Sequence, residues 1–137
     1  MRMIGERFSG YDGVEAPDVA TCVDGLPDFK TETRNDPGIP GILKLKWTKE
    51  GRYDKEVKEL DDYFKRTGRS RYVTTYIGKW LTDWVREYGV DGFRCDTAKH
   101  VERGEWKTIK EMGVEALKEW RKNNPTAAGA DWTELVS

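Results

Sequence analysis

Between two stretches of helical periodicity, residues 92–96 switch to alternation with a period of two, and this switch restricts the fold more than any other feature. Apolar positions lead up to Gly92, after which Phe93 and Cys95 alternate with Arg94 and Asp96. Alternation of this kind is a strand signal that puts Arg94 and Asp96 on one face and Phe93 and Cys95 on the other. Ahead of it, the spacing predicts a helix over 71–88: Tyr76, Ile77, Trp80, Leu81, Trp84 and Val85 form an apolar stripe, with Lys79, Asp83, Arg86 and Glu87 opposite. Gly89 stands where a helix stops at its C′ position. Behind it, Trp106, Ile109, Met112, Ala116, Leu117 and Trp120 predict a second helix over about 105–122, closed by Asn123-Asn124-Pro125. Helix, strand, helix is the rhythm of a parallel α/β fold. In such folds, polar residues at the carboxyl end of a strand tend to do the chemistry. An arginine and an aspartate on one face of a buried strand are costly to desolvate and seldom placed there for stability. Two readings stay open from the pattern: a structural ion pair at a strand end, or a reactive pair.

The same residues resemble a known signature. Gly92-Phe93-Arg94-Cys95-Asp96-Thr97-Ala98-Lys99-His100 is similar to the Gly-Phe-Arg-x-Asp-x-x-Lys-His motif of the α-amylase family of glycoside hydrolases, carried on the fourth strand of their (β/α)8 barrel. The resemblance implies that Asp96 is the catalytic nucleophile of a covalent glycosyl-enzyme intermediate and that Arg94 orients it. The chemistry agrees, because a guanidinium beside a carboxylate favours the charged form, and that form attacks an anomeric carbon. Lys99 and His100 correspond to residues lining the leaving-group side of the sugar cleft. The backbone carbonyl of His100 matches a calcium-ligand position in calcium-dependent members. The Lys-His pair favours an enzyme acting on α-1,4-glucans, such as starch or maltooligosaccharides.

Upstream, Gly25-Leu26-Pro27-Asp28-Phe29-Lys30 resembles the Leu-Pro-Asp block near the end of the family's domain B. That likeness gives Asp28 the role of a calcium ligand, which suits a hard cation that collects oxygen donors. By its residues alone the block also reads as a proline-initiated turn with a solvated aspartate. The continuation Lys30-Thr31-Glu32 resembles periplasmic-type bacterial amylases and points to a periplasmic or secreted parent. Asp12 and Asp18 stand in ordinary Asp-Gly and Pro-Asp turn chemistry and receive no such role.

Length bounds the reading. A (β/α)8 barrel takes about 250 residues, and this chain has 137. The expectation is an α/β fold that is a partial TIM barrel: residues 1–70 as the loop-rich end of domain B with an insertion, and residues 71–137 as a helix-strand-helix segment of the barrel. Met1 is then expected not to be a native start. The implied reaction is retaining hydrolysis of an α-glucosidic bond, in which a second carboxylic acid protonates the leaving oxygen. Glu134 falls near the place for that acid but lacks the expected Gly before it and Trp after it, so it reads as an exposed terminal glutamate. The chain alone is expected to be inactive, and its uncovered apolar faces invite self-association. The runner-up is a non-catalytic amylase-like binding or partner subunit, against which the retention of Arg94 and Asp96 counts.

Composition excludes other classes. The 24 Lys plus Arg nearly cancel the 25 Asp plus Glu, and no basic stripe points to nucleic acid or an anionic membrane. No apolar run reaches the length of a membrane span. Two cysteines, Cys22 and Cys95, are too few for a disulfide framework, and Cys95 reads as a small buried hydrophobe facing helices. Of the six tryptophans, Trp80, Trp84, Trp106 and Trp120 fall on helix stripes and read as core, leaving Trp47 as the surface candidate for a sugar platform. Residues 1–41 read as loop, with a turn cluster at 35–41; 42–47 alternate like a short strand; and Val57, Leu60 and Phe64 predict a helix over 54–66.

Overall fold

The computed structural model describes residues 29–128 except Thr97. The chain divides into two compact units, Met1–Val73 and Thr74–Ser137.

In the first unit, Asn35-Asp36-Pro37-Gly38 build a turn ahead of the first helix. The Asp36 carboxylate accepts the Gly38 N–H at 2.8 Å, and Gly38 takes φ +66°. This side-chain closure is what makes aspartate a turn residue. Pro40 then caps α1 (Gly41–Lys49), its carbonyl accepting the Lys44 N–H. The short strand expected over 42–47 is therefore a helix. Six alternating residues discriminate poorly, and Leu and Lys are unbranched side chains that lose little freedom in a helix. Trp47 is also not a surface platform: it is 4% exposed, while Ile42 and Leu45 face water instead.

A turn through Gly51, φ +68°, leads into α2 (Tyr53–Thr67), which packs against α1. Asp54 and Glu56 stand in its first turn and Lys65 and Arg66 in its last, the arrangement that the helix dipole favours. Leu60, Tyr63 and Phe64 are buried, as the 3–4 spacing predicts for this helix. Gly68 ends it in the left-handed conformation, its N–H bonded to the Phe64 carbonyl.

The second unit is a helical pair. α3 (Val73–Tyr88) crosses into it from Val73, and α4 (Arg103–Asn123) follows a short 3₁₀ turn at Ala98–His100. Both helices match the sequence expectation. Gly89 closes α3 at φ +67°, donating its N–H to the Val85 carbonyl at 2.8 Å. Val85, Ala116 and Leu117 form the buried core, with Val90 and Trp120 packed on it. Gly78 on α3 lets Met112 of α4 lie where a side chain would otherwise stand. Polar bridges complete the pair. The Thr74 hydroxyl donates to the Glu105 carboxylate at 2.6 Å, both residues being buried. Arg86 joins Asp83 at 2.6 Å to Glu119 at 2.7 Å, and Lys79 reaches Asp83 at 2.7 Å.

Two expectations about this pair are corrected. Lys79, placed on the solvent side of α3, is buried with its ammonium on Asp83; its long stem covers apolar surface while its head finds a carboxylate. Trp84, placed in the core, is 59% exposed and lies beside the Tyr88 ring, centroids 5.6 Å apart. α3 carries an apolar stripe wider than the one face its buried side uses.

The larger correction concerns the fold class. Among the described residues there is no strand and no sheet, so the α/β partial barrel is not what this chain forms; it is helical. Residues 90–95 run as irregular backbone. Alternation divides a segment into two faces, but a strand exists only where a neighbour supplies a ladder for its N–H and C=O groups. Gly92 adds backbone freedom that a lone extended segment cannot offset.

Candidate functional site

The segment between α3 and α4 carries the candidate site. Gly89 turns the chain out of α3, Val90 anchors on the core, and residues 91–96 are exposed. The Arg94 Nε–H donates to the Asp96 Oδ1 at 3.1 Å. The pair is thus formed, as the sequence predicts, although no strand presents it. It is open to water, with the side chains 91% and 77% exposed. At that exposure an ion pair contributes little to folding, so stability does not explain it. Cys95, expected among helix side chains, is a free and exposed cysteine, because the helices close on each other without this segment between them.

After Asp96, the chain tightens into the 3₁₀ turn Ala98–His100, closed by the Val101 N–H on the Ala98 carbonyl at 3.3 Å. Lys99 is exposed and His100 half-buried on this turn. The same Ala98 carbonyl accepts the Trp106 indole N–H at 3.0 Å. The sequence reading missed this tie, treating Trp106 as core alone. The available signal was chemical: an indole packed near backbone usually finds an acceptor. Thr74 and Glu105, which bond the first turns of α3 and α4 together, carried no sequence signal.

Beside the segment lies an open cavity of about 210 Å³, lined by Val85, Val90, Phe93, Ile109, Val114 and Leu117, with Asp91 and Lys110 as its charged members. Its lining is apolar, and neither Arg94 nor Asp96 belongs to it.

The calcium expectation involves Asp28 and the His100 carbonyl. Asp28 lies outside the described residues. Among the described residues no three His, Cys, Asp or Glu side chains gather as metal ligands, and the His100 carbonyl alone supplies too few of the six to eight oxygens that calcium takes. Glu134 and Cys22 also lie outside the described residues.

No protein-family model matches the chain, and no solved structure matches it. Among curated proteins, the likeness is to an α-amylase, as the residue 92–100 motif implies. The chain is 40% identical over 118 residues, 86% of its length, to the periplasmic alpha-amylase of Escherichia coli (strain K12). The chain covers 15% of that relative.

Proposed function

We propose that this chain is the nucleophile-bearing part of an α-amylase-type glycoside hydrolase that cleaves α-1,4-glucans with retention of configuration. The observation that carries the reading is the Arg94–Asp96 ion pair, 3.1 Å long and solvent-facing, within a segment whose sequence matches the family motif, in a chain 40% identical to an α-amylase. Asp96 attacks the anomeric carbon through one carboxylate oxygen, and Arg94 fixes the orientation of the other. Lys99 and His100, on the next turn, face the leaving group. A retaining reaction needs a second carboxylic acid about 5 Å away to protonate the leaving oxygen and then activate water. On this reading that acid comes from outside the segment that carries Asp96.

The expected outcome is that the 137-residue chain releases no reducing sugar from starch or maltooligosaccharides, with or without added calcium. In a longer protein that carries this segment and hydrolyses them, Asp96→Asn abolishes turnover by several orders of magnitude with the fold intact. An unchanged rate in that variant refutes the role of Asp96. Starch hydrolysis by the chain itself, lost in Asp96→Asn, refutes the incompleteness of the site. Asp28 and the His100 carbonyl join the reading as calcium donors that need further ligands, and a periplasmic location follows by likeness to the relative. Among the described residues no helix is long and apolar enough to cross a membrane.

Self-association of the chain belongs to the same reading. Ile42, Leu45, Trp84, Tyr88 and Phe93 are exposed, and apolar side chains open to water promote association. Light scattering on the purified chain is expected to give a mass above the 15.8 kDa monomer. A monodisperse monomer refutes it.

A further inference from the structure

We propose that Trp106 is a positioning residue for the Asp96–His100 segment, acting through the carbonyl of Ala98. The segment leaves α3 with no strand to hold it, and its side chains are mostly exposed. Something else must set its course if Asp96, Lys99 and His100 are to address one ligand. The described hydrogen bonds offer one route. The Ala98 carbonyl, two residues after Asp96 and next to Lys99, accepts two donors: the Val101 N–H at 3.3 Å, which closes the turn, and the Trp106 indole N–H at 3.0 Å, which ties the turn to α4.

Trp106 is itself held. Its backbone N–H returns to the Glu102 carbonyl at the start of α4. The preceding residue, Glu105, is buried and accepts the Thr74 hydroxyl at 2.6 Å from the first turn of α3. The path from one helix to the reactive segment is therefore continuous: Thr74 to Glu105, Glu105 to its neighbour Trp106, Trp106 to Ala98. An indole N–H has a single direction, so the bond constrains the turn as well as stabilising it. A carbonyl that serves two donors is also a point where losing one donor loosens the turn without unfolding the helix.

The inference rests on the reading of Asp96–His100 as the reactive segment, and its test reads local order, not hydrolysis, so the two can fail separately. The chain has one histidine, so its Hε1 resonance is an unambiguous reporter inside the turn. Trp106→Phe keeps an aromatic ring and deletes the donor; Trp120→Phe, farther along α4, is the control. In Trp106→Phe the His100 resonance is expected to shift or broaden and the amides of Lys99–Val101 to exchange roughly fivefold faster, the effect of one modest hydrogen bond. In Trp120→Phe the His100 resonance stays where it is. In the unmutated chain, the Trp106 indole proton is expected to exchange more slowly than that of exposed Trp84, a comparison that needs no variant. Equal indole exchange, or a His100 resonance and turn amides indifferent to Trp106→Phe, overturns the proposal.

Discussion

Replacing Gly89 by alanine tests the packing of the helical pair where backbone and side-chain demands coincide. Gly89 sits at φ +67°, in the left-handed region that costs a residue with a Cβ about 1–2 kcal/mol. A Cβ built there also stands 2.6 Å from both Cδ2 and Cζ2 of Trp120, and closer still to Cε2. Carbon atoms in ordinary contact are about 3.5–4.0 Å apart, so the indole must retreat by about 1 Å. It cannot do so freely, since Trp120 packs on the Val85–Ala116–Leu117 core. Overpacking of this kind costs about 1–3 kcal/mol. Alanine returns about 0.4–1 kcal/mol by restricting the unfolded chain. The net expectation is a loss of about 1–4.5 kcal/mol, against the 5–15 kcal/mol typical of a whole domain. Urea unfolding followed by circular dichroism should show a lower midpoint at unchanged slope. The steric and conformational parts separate in a Trp120→Leu background. There Gly89→Ala should cost only the backbone part, giving a coupling of about 1–3 kcal/mol between the sites. A loss below about 0.5 kcal/mol, or additive effects in the double variant, refutes the close approach of Trp120 to Gly89.

Gly78→Ala makes the opposite case: the atoms nearest its Cβ are the Met112 Sδ and Cε at 2.6 and 2.9 Å, with Ile109 at 3.9 Å, and a flexible thioether can swing away. The helix-propensity gain of about 1 kcal/mol should offset that adjustment, leaving the unfolding midpoint within experimental error of the parent; a large loss would mean Met112 is locked in place. Thr74→Val deletes the 2.6 Å donor to buried Glu105 and should cost about 1.5–3 kcal/mol, as expected for a bond to a charged group, measured by the same urea titration.

The helices α2, α3 and α4 were legible because their spacing repeats over several turns and other features agree with it. For α2, Val57, Leu60 and Phe64 repeat the helical spacing, and the acid-to-base gradient and Gly68 stop found in the structure agree with it. Gly89 likewise marks the end of α3 to the residue. Where the signal was single, it failed. Six alternating residues at 42–47 carry no more information than six residues of a helix with its apolar side chains scattered, and α1 is such a helix. The stripe on α3 named its apolar members correctly but not which of them would be covered. Tyr76 and Val85 are buried and Trp84 is not, because that choice belongs to the partner surface and leaves no mark on the helix itself.

The candidate site shows the same division from the other side. Arg94 and Asp96, two residues apart, meet at 3.1 Å although the strand expected to align them is absent. On extended backbone successive side chains point to opposite faces and those two residues apart point the same way, whether or not a ladder is formed. Proximity of i and i+2 is thus a local property that the sequence specifies outright. Burial of the pair, and the place of Cys95 opposite it, are non-local properties that need a second element on each side of the segment. In the structure the pair is exposed, and Cys95 with it. A nucleophile in bulk water competes poorly, since the field of its arginine is screened and nothing excludes solvent from the reacting carbon. On the proposed reading the motif locates the chemistry, while the enclosure that would make it fast has to be contributed by groups beyond Arg94 and Asp96. Any hydrolysis by a protein carrying this segment should depend as sharply on those enclosing groups as on Asp96 itself.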